Sequence, residues 1–247
     1  MLLLALDSAA ETCSAAVWES SKPADGLLAL RVLDPARGQA ERLIGLVEAV
    51  LANAGLGYRD LGALAVGHGP GSFTGLRSAV AAARGLALAT GLGVIAVSSL
   101  EALAGGRREP SGDVVAALDA RRGEVYAQGF GPDLEPLLGT PRAMPPREVA
   151  QAIARRAARG SGPIRLVGSG AHLVRALLPA EIPVVQETVR CDASLIARCA
   201  ARRLVAGERP VAGFAVRPLY LRAPDARPPR PLMAPGGDPV TAHGQAS

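Results

Sequence analysis

Five apolar residues in a row, 2–6 (LLLAL), stop at Asp7, and a second apolar run follows at 13–18 (CSAAVW). A short run without polar alternation predicts a strand covered on both faces. Two such runs joined by a small polar loop predict a hairpin. A third strand is expected at 27–33. The period then changes: Leu43, Leu46, Val47, Val50, Leu51 and Ala54 recur at i, i+3, i+4, i+7, i+8 and i+11. That is one stripe of an amphipathic helix over 39–54, ended by Gly55. A strand at 61–67, a glycine-rich turn at 67–72, a helix at 73–90, a strand at 94–97 and the start of a helix at 98–104 follow.

The same order then begins again. A strand at 114–118 runs into Asp119, a polar turn and a strand at 125–130, and Ala117-Leu118-Asp119 repeats Ala5-Leu6-Asp7. Helices are expected at 146–159, 171–178 and 192–206, the last capped by Asp192 and ended by Gly207. This pattern predicts an α/β protein of two similar halves, 1–106 and 107–222. From 223 to 247 the chain is rich in Pro, Gly and Ala without periodicity, the composition of a mobile tail.

Composition changes this picture in three places. The 247 residues are 49% hydrophobic and 20% charged, enough for a core without disulfide or metal staples. Aromatics make up only 3%, so the core must be aliphatic and a base-stacking RNA platform is disfavoured. The net charge of +5 divides unevenly, −4 over 1–141 and +10 over 142–230, a balance compatible with a nucleic-acid partner. All basic residues except Lys22 are arginine, the usage of a GC-rich coding sequence. Cys13, Cys191 and Cys199 form no CxxC and no even framework, so no zinc site or disulfide is expected and the usage fits a reducing cytoplasm. Asp7 interrupts the first apolar run, which lacks a basic leader, and no apolar stretch suits a membrane-spanning helix.

Candidate chemistry concentrates in a few segments. GHGPGSFTGLR at 67–77 follows a strand and opens a helix, with Gly69, Gly71, Ser72, Thr74 and Gly75 forming a glycine-rich turn. Ser72 or Thr74 can cap the helix, and its N-terminus suits an anion. It is neither a Walker loop nor a GxSxG elbow. An anion or nucleotide site and a tight turn that binds nothing both remain open. Asp7 and Ser8 in DSAAETCS invite a phosphate or metal reading, but Ala9 and Ala10 stand where nucleotide hairpins use glycine. Asp119 and Glu124, with Arg121 and Arg122, invite the same reading in the second hairpin. His68, His172 and His243 lie too far apart in sequence to announce a metal site or a triad. Arg77 and Arg84 share a helix face, and the 39–54 helix has small outer residues, Gly45, Ala49 and Ala52. With Glu41 these positions are the expected contact with another subunit.

The segments GHGPGSFTGLRSAVAAARGLALATG, VSSLEALA, LALDSAAETCSAAVW, ALDARRGEVYA, VGSGA and PLYLR resemble the TsaB (YeaZ) family of tRNA threonylcarbamoyladenosine synthesis over residues 1–222. The resemblance implies the actin-like ATPase (ASKHA) fold, two related α/β domains, with Asp7, Ser8 and Asp119 in vestigial nucleotide loops. It implies a noncatalytic cytoplasmic subunit, a pseudoenzyme, that pairs with the TsaD transferase through helices like 39–54 and 73–90. It further implies help in recruiting the TsaE ATPase, access to tRNA through the complex, and a homodimer through the same helices as an alternative state. TsaD holds a metal with an HxxxH motif; Ser99 and Leu103 occupy those positions here, and neither replaces an imidazole. No metal, cofactor or catalytic residue is therefore expected. Gln39 stands where many relatives have His. The competing class is a self-contained ATP-dependent transferase or kinase of the actin-like group, using Asp7 and Asp119. A peptidase is disfavoured by the missing metal ligands.

Overall fold

Alternation along β1 (Leu2–Asp7) decides the layering. Leu4 and Leu6 enter one hydrophobic cluster while Leu3 and Ala5 enter another, and all four are fully buried. A strand apolar on both faces has to be covered on both. The computed structural model describes residues 1–9, 12–33, 39–106, 112–131, 139–160, 162–187 and 189–222. In it β1 pairs antiparallel with β2 (Cys13–Glu19), which pairs antiparallel with β3 (Leu27–Leu33). On its other side β1 pairs parallel with β4 (Leu61–Gly69), and β4 pairs parallel with β5 (Val94–Ser98). The two crossovers carry α1 (Gln39–Ala54) and α2 (Phe73–Thr90). Both parallel connections need such helices, because a tight turn cannot return the chain in the same direction.

The second half repeats this topology. β6 (Val114–Arg121) and β7 (Glu124–Phe130) form the hairpin, and β8 (Arg142–Met144) adds to β7. After α4 (Pro146–Ala157), β9 (Ile164–Val167) pairs parallel with β6; after α5 (Ala171–Arg175), β10 (Val184–Glu187) pairs parallel with β9. The strand orders β3-β2-β1-β4-β5 and β8-β7-β6-β9-β10 are the same path drawn twice. Each unit closes with a further helix, α3 (Ser99–Ala104) and α6 (Ala193–Val205). The expected 73–90 helix and the 39–54 helix form with those bounds. The short strands β8, β9 and β10 carry no period of their own and exist because an edge accepts them. α5 stops at Arg175, three residues before the expected end.

Five layers result. α1 and α2 cover the outer face of the first sheet; α3 and α6 lie between the sheets; α4 and α5 cover the outer face of the second. α6, late in sequence, packs on β1 and β2, so the halves repeat in topology yet share their central layer. That layer is rich in alanine, with Ala102, Ala104, Ala193, Ala197, Ala200 and Ala201 all buried. It accounts for a large core with so few aromatics. The expected boundary at 106/107 abuts residues outside the described set, and the expected tail, 223–247, lies outside it. Among the described residues no helix is long and apolar enough to cross a membrane.

Candidate functional site

β4 delivers the chain into the glycine-rich turn. Of the two expected caps, Ser72 performs the role: its hydroxyl accepts the Gly75 N–H at 3.4 Å. Thr74 lies inside the helix. The glycines are demanded by what sits against them. A Cβ on Gly71 would overlap the Ala9 carbonyl oxygen, one on Gly75 the Ser8 carbonyl oxygen, and one on Gly67 the Asp7 carboxylate. Hydrogen bonds fix the same contact, since Ser8 Oγ donates to the Gly75 carbonyl and the Ser72 N–H to the Ala9 carbonyl, both at 2.7 Å. Gly69, at φ 112°, occupies a backbone region closed to other residues. The described residues at this polar stretch are not solvated: Asp7 and Ser8 are fully buried and Thr12 nearly so. The close approach that the glycines permit is taken by the chain's own backbone at Ser8 and Ala9.

The second half uses the same device. β9 ends in Gly168-Ser169-Gly170. A Cβ on Gly168, at φ 100°, would overlap the Ala117 carbonyl oxygen, and one on Gly170 would meet the Leu118–Asp119 backbone at 2.9–3.0 Å. Ser169 Oγ accepts the Asp119 N–H at 3.2 Å. Asp119 differs from Asp7 in being half-buried. It accepts the Arg121 N–H at 2.7 Å and pairs with the Arg121 guanidinium at 3.5 Å. Arg121 and Arg122 both hold left-handed backbone, φ 61° and 56°, before Gly123 completes the turn.

Residues 211–222 form a strap across both units. Val211 bridges to Val94 beside β5. The Val216 carbonyl accepts from the Arg84 guanidinium. The Leu219 N–H donates to the His68 carbonyl at 2.7 Å, and His68 Nδ1 donates to the Arg217 carbonyl at 3.1 Å. Arg77 Nε donates to Tyr220 Oη at 3.0 Å while its guanidinium lies 3.8 Å over the Phe73 ring, itself 5.4 Å from the Tyr220 ring. Arg222 then reaches the second unit, donating to the Ala120 carbonyl and to Glu124. Segments 67–77, 117–127, 167–171 and 218–222 therefore meet in one region. Arg77 and Arg84, expected at a subunit contact, both reach the strap with their guanidiniums within this chain. Residue chemistry alone gave Tyr220 and Arg222 no role; the only signal for them was the PLYLR segment itself.

Electrostatics near the junction favour neutral groups. Burial lowers the His68 pKa below the ordinary histidine value, and Arg203 adds to this, outweighing the hydrogen bond to Arg217. Burial, with Asp7 nearby, pushes the Cys13 thiol up to about 11; burial and then Glu101 push Cys199 up to about 12. Cys191 moves in the same direction, again chiefly by burial and then by Asp7. All three stay protonated and unreactive near neutral pH. Ser99 and Leu103, at the metal-ligand positions of the transferase motif, lie buried one turn apart on α3. Leu103 offers no donor atom, so this pair does not fit the metal.

The outer surface of α1 and α2 combines small residues with two exposed large ones, Ile44 and Leu88. Gly45 and Ala52 are exposed and Ala49 is half-buried; on α2, Ala81, Gly85 and Ala89 are exposed. A Cβ on Gly45 or Gly85 would meet nothing within 4 Å. The Glu41 side chain lies outside the described set.

Known proteins are similar to this chain. The family model described as TsaD, tRNA N6-adenosine threonylcarbamoyltransferase, matches residues 34–156. The tRNA threonylcarbamoyladenosine biosynthesis protein TsaB of Escherichia coli (strain K12) is 41% identical over 128 residues, 51% of this chain and 53% of that protein. The match spans about half the length of the curated TsaB relatives. An uncharacterized protein of Mycobacterium tuberculosis is 34% identical over 226 residues, 92% of this chain and 94% of its own. YeaZ from Pseudomonas aeruginosa superimposes with a TM-score of 0.72 at 31% identity, covering 89% of this chain and 99% of that one. The two repeated α/β units are those of the YeaZ fold.

Proposed function

The chain belongs to the TsaB (YeaZ) family, and from that premise we propose that it is a noncatalytic subunit in the synthesis of tRNA N6-threonylcarbamoyladenosine, modifying the adenosine next to the anticodon. Its partner is a TsaD-like transferase, docked on the outer face of α1 and α2. The observation that carries this is the exposed cluster of small residues, Gly45, Ala49 and Ala52 beside Ala81, Gly85 and Ala89, with open space over both glycines. Small residues let two helix pairs approach closely, as in a four-helix contact. A second copy of the chain uses the same face when the transferase is absent, and the complex recruits a TsaE-like ATPase in the cytoplasm.

Support for a noncatalytic role comes from two places. The Ser99–Leu103 pair lacks the donors a metal needs, and the backbone N–H of Ser72 in the glycine-rich turn is already bonded to the Ala9 carbonyl. The reading is tested by capturing the cell's own transferase homologue with the tagged full chain. A stable complex, with no metal-dependent transferase or peptidase activity in the chain alone, is the expected result. Micromolar or tighter ATP binding with turnover by the chain alone would favour a self-contained kinase or transferase instead.

A further inference from the structure

α4 lies on the opposite outer layer from α1 and α2. Its inner face is apolar, with Val149, Ala150 and Ile153 buried. Its outer face carries Arg147, Gln151 and Arg155, and Arg159 follows just beyond the helix end; all four are exposed. Successive members are four residues apart, about 6 Å along a helix axis. The neighbouring cations are already engaged: Arg156 reaches Asp113 at 2.6 Å, and Arg142 on β8 pairs with Glu148 at 3.3 Å. Arg147, Arg155 and Arg159 make no side-chain hydrogen bond or ion pair with any described residue. Arg142 and Arg155 also flank a cavity of about 490 Å³ lined by Ala127, Met144, Val149 and Ala152, so the stripe borders a concave surface.

An exposed row of guanidiniums on a rigid element repels itself and gains by neutralising a matching row of anions. A membrane-surface helix would set large apolar residues beside its cations, and this face has Gln151 there. A protein hot spot would centre on aromatic anchors, and α4 has none. We propose that the outer face of α4 is an RNA-backbone contact surface on which Arg147, Arg155 and Arg159 each hold a phosphate. The choice of RNA rests on the tRNA role proposed above; the charge geometry does not.

The test is anisotropy of a fluorescein-labelled tRNA transcript titrated with the full chain over a potassium chloride series starting at low salt. Each phosphate contact removed should lower the salt slope by about 1, so R147Q/R155Q/R159Q should lower it by about 3 and weaken binding at least about tenfold at low salt. The matched variant R31Q/R42Q/R59Q, three exposed arginines of the first unit, should leave the slope near that of the unaltered chain. An unchanged slope in the α4 variant overturns the proposal. So does an equal loss in the first-unit variant, which would mark a response to net charge alone. Binding to phosphatidylserine vesicles without binding to the transcript would assign the stripe to a membrane and overturn it as well. None of these measurements needs the transferase, so failure of partner capture and failure of the RNA surface are read separately.

Discussion

The two halves share a topology and differ in what they show to solvent. Outside the first sheet, α1 and α2 present glycine and alanine with exposed Ile44 and Leu88; outside the second, α4 presents arginine. The hairpins diverge in the same way. Asp7, Ser8 and Ala9 at the end of β1 are buried beneath the glycine-rich turn, whereas the tip of the β6–β7 hairpin stands exposed with Arg121 and Arg122 in left-handed conformations. Inner contacts are duplicated because both sheets need the same knuckle, a glycine turn pressed on the exit of the central strand. Outer surfaces are free to diverge because nothing in the monomer depends on them. The difference teaches where to look for function: in the outer layers.

The sharpest way to break this comparison uses one residue type in two settings. In Gly75→Ala, helix propensity favours alanine by about 1 kcal/mol. The new Cβ, however, overlaps the Ser8 carbonyl, an overpacking cost of about 1–3 kcal/mol and occasionally more. Overlap with fixed backbone wins, so the urea midpoint should fall by the equivalent of about 2 kcal/mol or more. Gly168→Ala should behave alike in the second half, with positive φ adding about 1–2 kcal/mol. A variant as stable as the parent at either position would end the claim of a duplicated knuckle.

Gly45→Leu and Ala49→Trp form the contrasting pair. A side chain at Gly45 meets nothing in the monomer, so Tm should stay nearly constant. Steric overlap at the partner interface, about 1–3 kcal/mol, corresponds to roughly tenfold to hundredfold weaker association with the transferase. Titration calorimetry giving parental affinity for both variants would remove α1 from the interface.

The strap joins the halves, and Arg222→Ala tests that join. It strands Glu124 and the Ala120 carbonyl, which should cost about 1–2 kcal/mol and expose 211–222 to limited proteolysis. Parental cleavage kinetics would mean that the strap is held elsewhere.

The smallest effect concerns pH. The folded pKa of His68 lies below its unfolded value of about 6.5, so the unfolded chain takes up the proton first as pH falls. Stability from this site is fully present above the unfolded pKa and is lost as pH drops through the window down to the folded pKa. His68→Gln should therefore flatten the decline in Tm between neutral and mildly acid pH. An identical decline in the variant would show that other groups drive it.

How much of this was legible depends on whether a signal is local. α1 could be read from a six-member stripe, α2 from the Ser72 cap at its start, and α6 from Asp192, whose carboxylate caps it by accepting the Ser194 N–H at 2.8 Å. β9 and β10 could not, since four residues carry no period and pairing alone makes them strands. The candidate site was half legible. The glycines at 67–75 announced a close approach but not that its partner is the backbone of Ser8 and Ala9, which lies some sixty residues away in sequence. Arg77 and Arg84 were correctly placed on one helix face, yet a face does not say which neighbour claims it.

By itself, then, the sequence determined the longer helices, the longer buried strands and that the pattern runs twice, because those follow from periodicity, capping and turn chemistry within a few residues. It also determined that Leu103 cannot ligate a metal, because a side chain's donor atoms are fixed by its identity. Only the tertiary structure decided that Asp7 is sealed by the glycine turn, that α6 returns to the first sheet, and that Arg222 ties the last described residue to the second hairpin across 98 positions. Those outcomes depend on contacts between distant segments, and long-range contacts are selected by packing and hydrogen-bond satisfaction in the assembled fold, which no local pattern encodes.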